Sequence, residues 1–430
     1  MKFNTILKTL GLIAFASPLV FAGNCDDLEK YMEDKRGVIN QCKESNGKVV
    51  SVEVSDTNLS EKDIDKVLSY DSIKSLQYSI TADPYKFNDK PEEETENDVS
   101  RQINKLTSLN KLKNLEDLAI SYRSSISVGI GYDKNFLGQI SENTFKDLTS
   151  LKSLDVYGVK ITQKNIEEIS SLKNLESLSF RTSSFEKCNN FKSLSKLENV
   201  KLLKISESTN VNSELVNAIK SIKELDLYEA DGDLKIDALP NVESITWDQD
   251  DVSSLGKLGK LVKLELNVSP HRDHDLTSLE KLSQIKILSI NGSKVYPGSA
   301  GPECYPLTLK FAEGAQLQEL KIETAYPSES SLNEIKKLKN LQKFTAECDV
   351  YGKDEAKKLL EEANKIGSNI PSNVVNATTA VDATTAVDAT TAVDATTATI
   401  TKTTTITKTS ATSTIVTQRR RKCIVRNKSN

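Results

Sequence analysis

Residues able to do chemistry are sparse in this 430-residue chain, which carries two histidines, His271 and His274, three apart in the segment SPHRDHD. Asp273 and Asp275 stand beside them. Imidazoles and carboxylates at that spacing are zinc-ligand chemistry. A zinc site also needs a third or fourth ligand from a recognisable frame, and there is neither an HExxH helix nor a paired cysteine knuckle. The segment is expected to be an exposed loop after a strand, without metal.

The segment GIGYDKNFLG, residues 129–138, has the glycines of a phosphate loop. It lacks the Gly-Lys-Ser/Thr ending that would place a lysine on a phosphate, so it reads as an insertion. Carboxylate pairs are common in a chain that is 27% charged, and none is singled out as a glycosidase dyad. With no convergent acid, base and nucleophile, the expectation is a protein that is not an enzyme and uses no cofactor.

The elements that would position side chains are set by an internal repeat. In LTSLKSLDV, Leu148, Leu151 and Leu154 are three apart and Val156 closes an apolar-x-apolar step. The same spacing recurs at Leu172, Leu175, Leu178, Phe180 and at Leu258, Leu261, Leu264, Leu266. About 12 such units follow one another at intervals of roughly 20 to 25 residues. The final step is the alternation of a short strand, and the three-residue spacing before it suits a helical or 3₁₀ return. Stacked units give one parallel sheet on the inner curve and one long core.

The segments LKNLEDLAIS, LKNLESLSF and LVKLELNVS are similar to the L-x-x-L-x-L core of the leucine-rich-repeat superfamily, over about residues 47 to 350. The resemblance implies an α/β solenoid, right-handed and curved, with a parallel sheet on the concave face and helices or 3₁₀ turns on the convex face. The family's asparagine position, three residues after the last strand apolar residue, is held here by Ser183, Ser208, Asp250, Ser269, Ser293 and Asp349. That departure implies a less complete side-chain ladder and a less rigid array.

Residues 1–22 read as a signal peptide: Lys2 and Lys8 precede the apolar run Leu10 to Ala22, and Ser17 and Pro18 argue against an anchor. Residues 23–46 form an N-terminal cap that resembles the cysteine-containing cap of extracellular leucine-rich-repeat proteins, including plant inhibitors of pectin-degrading enzymes. The solenoid then occupies 47–352, a helical C-cap with Gly367 as its stop 353–367, a Thr/Ala-rich disordered stalk 368–418 and a basic tail 419–430. Six cysteines permit 15 pairings. Sequence proximity favours Cys25 with Cys42, and Cys304 with Cys348 is the second choice because both lie near the end of the array. Cys188 and Cys423 stay unassigned.

Three insertions break the period, around KPEEETEND, SVGIGYDKNFLG and YPGSAGPECYP. Asn58, Asn267, Asn291, Asn376 and Asn427 are N-glycosylation acceptors by sequence. Balanced charge, 57 basic against 61 acidic residues, gives no global field for nucleic acid or an anionic membrane. No second apolar stretch is long enough to span a bilayer.

Binding is the expected function, because a concave sheet presents its outward residues in columns. The expected ligand-binding face comprises Asp155, Tyr157, Ser179, Arg181, Lys204, Asp226, Tyr228, Thr246 and Asp248, with Tyr and Arg the types that dominate hot spots. Glycans at Asn267 and Asn291 would crowd the C-terminal part of the same face. The expected partner is an extracellular protein or polysaccharide, for a secreted or cell-wall-associated chain. Inhibition of a secreted hydrolase and a structural role in a wall are the alternative readings.

Overall fold

A computed structural model describes residues 24–82, 102–106, 108–124, 137–230, 234–236, 239–268, 273–292, 304–348 and 354–370. The chain divides into Met1–Val374 and Val375–Asn430, and every described residue belongs to the first unit. The expected signal segment and Thr/Ala-rich stalk, the acidic insertion, most of the glycine-containing one, His271, Ser269, Ser293, Asp349, Cys423, Asn376, Asn427 and the basic tail lie outside the described residues, apart from residues 368–370.

The first elements are a helix, Cys25–Met32, and a hairpin of Gly37–Ser45 with Lys48–Asp56. Asn24 begins the helix with a reciprocal capping box to Asp27. Asn46 and Gly47, at φ 53° and 70°, make the hairpin turn, where two consecutive left-handed residues match the right-handed twist of the strands. Cys25 and Cys42 are joined by a disulfide, Cα atoms 5.7 Å apart, which ties the helix to the hairpin.

From Lys48–Asp56 onward the wide sheet is parallel. Twelve strands run in chain order, from that one through Ser75–Ala82, Asp117–Ser124, Ser153–Tyr157, Ser177–Arg181 and Leu202–Ser206 to Lys343–Glu347, giving thirteen with the cap strand. Most of the repeat strands turn two apolar residues inward. Leu154, Leu178, Leu203, Leu225 and Leu264 form one inner row, and Val156, Phe180, Ile205, Trp247 and Leu266 another, all at most 1% exposed. Burying each such side chain contributes about 1.5–3 kcal/mol, and the rows merge into one core cluster running from Cys25 to Ala363. The chain therefore folds as a leucine-rich-repeat solenoid. Its returns are short helices, such as Gln163–Ile169, or single 3₁₀ turns, such as Lys192–Lys196.

A corner follows the strands. Gly158, Thr182 and Thr324, each directly after its strand, have φ between 50° and 69°. This left-handed step swings the chain from the wide sheet into two short parallel sheets, one of four strands and one of three. At Gly158 no other residue fits, since a Cβ there would lie 2.1 Å from the Tyr122 carbonyl oxygen.

The side-chain ladder differs from the expectation. Ser208 Oγ does accept the Ser183 N–H at 3.1 Å, so the loop position after the strand is used there. The larger ladder lies on the opposite side, in the turn before the strand. Asn114, Asn174, Asn199, Asn241 and Asn340 each donate Nδ2 to a carbonyl of the preceding repeat, at 2.8 to 3.2 Å. Relocation of the asparagines thus adds inter-repeat bonds to those that the smaller side chains make at the usual position.

At the C-terminal end, the helix Asp354–Ser368 packs Ala356, Leu360 and Ala363 onto the last repeat. Cys304 and Cys348 form a second disulfide there, across 44 residues of sequence. Gly367 is not the helix stop. It lies inside the helix, where a Cβ would come within 2.4 Å of the Phe344 carbonyl, so its role is close approach of helix to strand.

Candidate binding face

The strand registers bring the expected residues together. Asp155, Ser179, Lys204, Asp226 and Thr246 pair directly across five neighbouring strands and form one outward row. Tyr157 and Arg181 pair in the next row, continued by Ser206. Tyr228 and Asp248 lie just past their own strands, at the same end of the face. Asp155, Tyr157, Arg181, Lys204, Asp226, Tyr228, Thr246 and Asp248 are all partly exposed. Ser179 departs from this, since at 9% exposure it offers a ligand little surface. Its neighbours across the strands, Asp155 and Lys204, carry longer side chains.

Charges on the face are matched internally. Arg181 clamps the Asp155 carboxylate with Nε and Nη2, the Nε contact at 3.0 Å. Lys204 Nζ reaches Asp226 Oδ2 at 2.5 Å, while Asp226 Oδ1 is buried with no hydrogen-bond partner among the described residues. Both pairs are partly exposed, so each contributes at most about 1 kcal/mol to stability. Their effect is to fix side-chain positions. Burial pushes the Asp248 carboxyl up to about 6, against the backbone N–H groups of Glu229 and Ala230, which favour its charged form.

One contributor escaped the sequence reading. Arg123, on the strand Asp117–Ser124, places its guanidinium carbon 5.5 Å from the centroid of the Tyr157 ring. Arg181 approaches the same ring from the other neighbouring strand, at 5.3 Å. Tyr157 is thus held between two cations. The signal was available: in ISYRS the inward residues are Ile120 and Tyr122, so continuing the alternation two places beyond Ser121 turns Arg123 outward.

His274 corrects the loop expectation. It starts a strand, His274–Leu276, is 2% exposed, and its Nδ1 lies 2.8 Å from Asp250 Oδ1. Asp250, at the family's asparagine position, needs a donor from the next repeat, and His274 occupies that place. Among the described residues no group of three or more His, Cys, Asp or Glu side chains is arranged to hold a metal. Among them, too, no helix is long and apolar enough to cross a membrane.

Toward the C-terminal end of the face, Asn267 and Asn291 pair across adjacent strands. Asn291 Nδ2 donates to Glu265 Oε1 at 2.8 Å. Asn58 is exposed just past Lys48–Asp56. Cys188 is the free cysteine of the described residues; its thiol donates to the Ile161 carbonyl, and burial pushes it up to about 11.

A repeated parallel sheet with helical and 3₁₀ returns defines the class, a leucine-rich-repeat protein. Several solved structures are similar to this chain. They include an internalin of Listeria monocytogenes, 13% identical, covering 80% of this chain and 93% of that one at a TM-score of 0.33. A leucine-rich-repeat protein of Leptospira interrogans is 15% identical, covering 80% and 97%, at 0.34. The Arabidopsis receptor kinase HAESA, solved with the peptide hormone IDA and the co-receptor SERK1, is 13% identical, covering 72% and 47%, at 0.35. No family profile matches the chain, and no curated protein does.

Proposed function

We propose that this chain is a secreted or cell-surface binding module, without catalysis of its own, that recognises a protein ligand through the concave face between Asp155 and Asp248. The single observation that carries the reading is register: strands far apart in sequence place Asp155, Tyr157, Arg181, Lys204, Asp226 and Thr246 in two adjoining rows. Such a patch joins an aromatic anchor and an arginine to pre-set charge pairs, the composition that concentrates binding energy. A protein is favoured over a polysaccharide because guanidinium groups already lie over the Tyr157 ring, leaving less of it for a sugar to stack on. Two disulfides support an oxidising compartment, as the signal segment requires.

The test is a combined replacement of Tyr157, Arg181 and Tyr228 by alanine. Binding is measured against the partner recovered with the unaltered protein from extracellular material, and folding is checked by circular dichroism. We expect at least a tenfold loss of affinity with the fold retained. Unchanged affinity removes this face from consideration.

A further inference from the structure

We infer that Arg123, Tyr157 and Arg181 form a receiving site for carboxylate side chains of an acidic, extended peptide segment. The inference rests on the reading of the concave face as the binding face, and it specifies the chemistry of the ligand.

Arg181 already shows the clamp in use. Its guanidinium takes the Asp155 carboxylate through two nitrogens, the fork geometry that recognises carboxylates. Asp155 is on the neighbouring strand and 30% exposed, so an incoming carboxylate can compete for the same two donors. Arg123 supplies a second guanidinium beside the same ring. It is exposed, it lies over the Tyr157 ring, and it makes no ion pair with any described residue. A guanidinium over an aromatic ring can still offer its in-plane donors to a planar anion.

Space and spacing agree. On the strand carrying Arg123, the row facing Asp155 holds Ala119, a methyl group where longer side chains stand in neighbouring strands. Residues i and i+2 of an extended peptide point the same way about 7 Å apart. Two glutamates at that separation can reach guanidinium groups that flank a single ring. The local charge at the ring is what favours this partner: Arg123 adds a positive charge that Asp155 does not cancel, because Arg181, which also feels Glu207, has engaged it.

The experiment uses the full chain and a fluorescein-labelled twelve-residue peptide of alternating Glu and Gly, with its Gln-for-Glu counterpart as the control, read by fluorescence anisotropy. The acidic peptide is expected to bind at least tenfold more tightly than the amide peptide, with affinity falling as salt rises. Arg123→Met, which keeps the apolar stem, is expected to weaken it about tenfold. Asp155→Asn is expected to strengthen it threefold or more by releasing Arg181, a gain that damage to the fold would not produce. Equal affinity for the two peptides overturns the assignment, as does Asp155→Asn binding no better than the parent. Displacement of the peptide by oligogalacturonate at lower concentration than by unlabelled peptide would overturn it in favour of a sugar acid. If the triple alanine variant loses the natural partner while the acidic peptide shows no preference, the binding face stands and the carboxylate chemistry falls.

Discussion

Replacing Asp248 by asparagine is expected to stabilise the protein at alkaline pH and not at acid pH. Burial raises this carboxyl from 3.8 to about 6, so ionising it in the folded chain costs roughly 3 kcal/mol more than in the unfolded chain. Partial exposure of the side chain brings the usable figure to about 2 kcal/mol. Asparagine removes that cost but offers one acceptor oxygen to the N–H groups of Glu229 and Ala230 in place of two, a loss of about 1 kcal/mol. The sign follows from proton linkage. Between about pH 4 and pH 6 the folded chain holds a proton that the unfolded chain has released, so the parent's stability falls as pH rises through that window. The variant has no such proton to lose. Urea denaturation of both proteins at pH 4.5 and pH 8 should show the difference between them shifting by about 1–2 kcal/mol in the variant's favour at the higher pH. Other titrating groups are common to both and cancel. A difference that stays constant within about 0.5 kcal/mol between the two pH values would refute the burial argument for this residue.

Gly158→Ala should lower the urea midpoint by the equivalent of several kcal/mol, since the new methyl group meets the Tyr122 carbonyl at 2.1 Å and the residue must keep φ at 69°. A midpoint within error of the parent would mean that the corner is not rigid. Asn174→Ala should cost about 0.5–1.5 kcal/mol through loss of the 2.8 Å bond to the Thr149 carbonyl. Asn174→Asp should do no better, because it has no proton to donate, and rescue by aspartate would disprove the ladder. Cys188, with its thiol pushed up to about 11, should react with a disulfide reagent at pH 8 at least about a hundredfold more slowly in the folded than in the urea-unfolded protein, and equal rates would contradict its burial.

Much of this architecture was legible because a solenoid writes its core as a period. Leu154, Leu178 and Leu203 are assigned inward by spacing alone, and the structure leaves each with no exposed surface. The rows of the proposed binding face follow from the same spacing, since whatever lies between two inward residues must face out. What stayed hidden depended on contacts between repeats. The family places its asparagine three residues after the strand, whereas this chain carries it before the strand in the recurring L-x-N-L of LKNLED and LKNLES, and only the stacking shows that its amide meets the repeat before. His274 looked like a loop residue because its partner, Asp250, is 24 positions away and serves it through the lateral packing of two turns. Gly367 resembled a helix stop, but glycine also permits close approach, and sequence cannot separate the two uses. Arg123 was lost at the edge of an insertion, where the strand runs on past the repeat's usual end.

The claim on which the functional account turns is that a partner lies across the two outward rows of the wide sheet. Hydroxyl-radical footprinting of the full chain, alone and with its recovered partner, tests it at individual side chains. The account predicts strong protection of Tyr157 and Tyr228 and little change at Tyr326, which lies on the separate three-stranded sheet. Protection at Tyr326 with Tyr157 and Tyr228 still fully reactive would place the partner elsewhere and contradict the account.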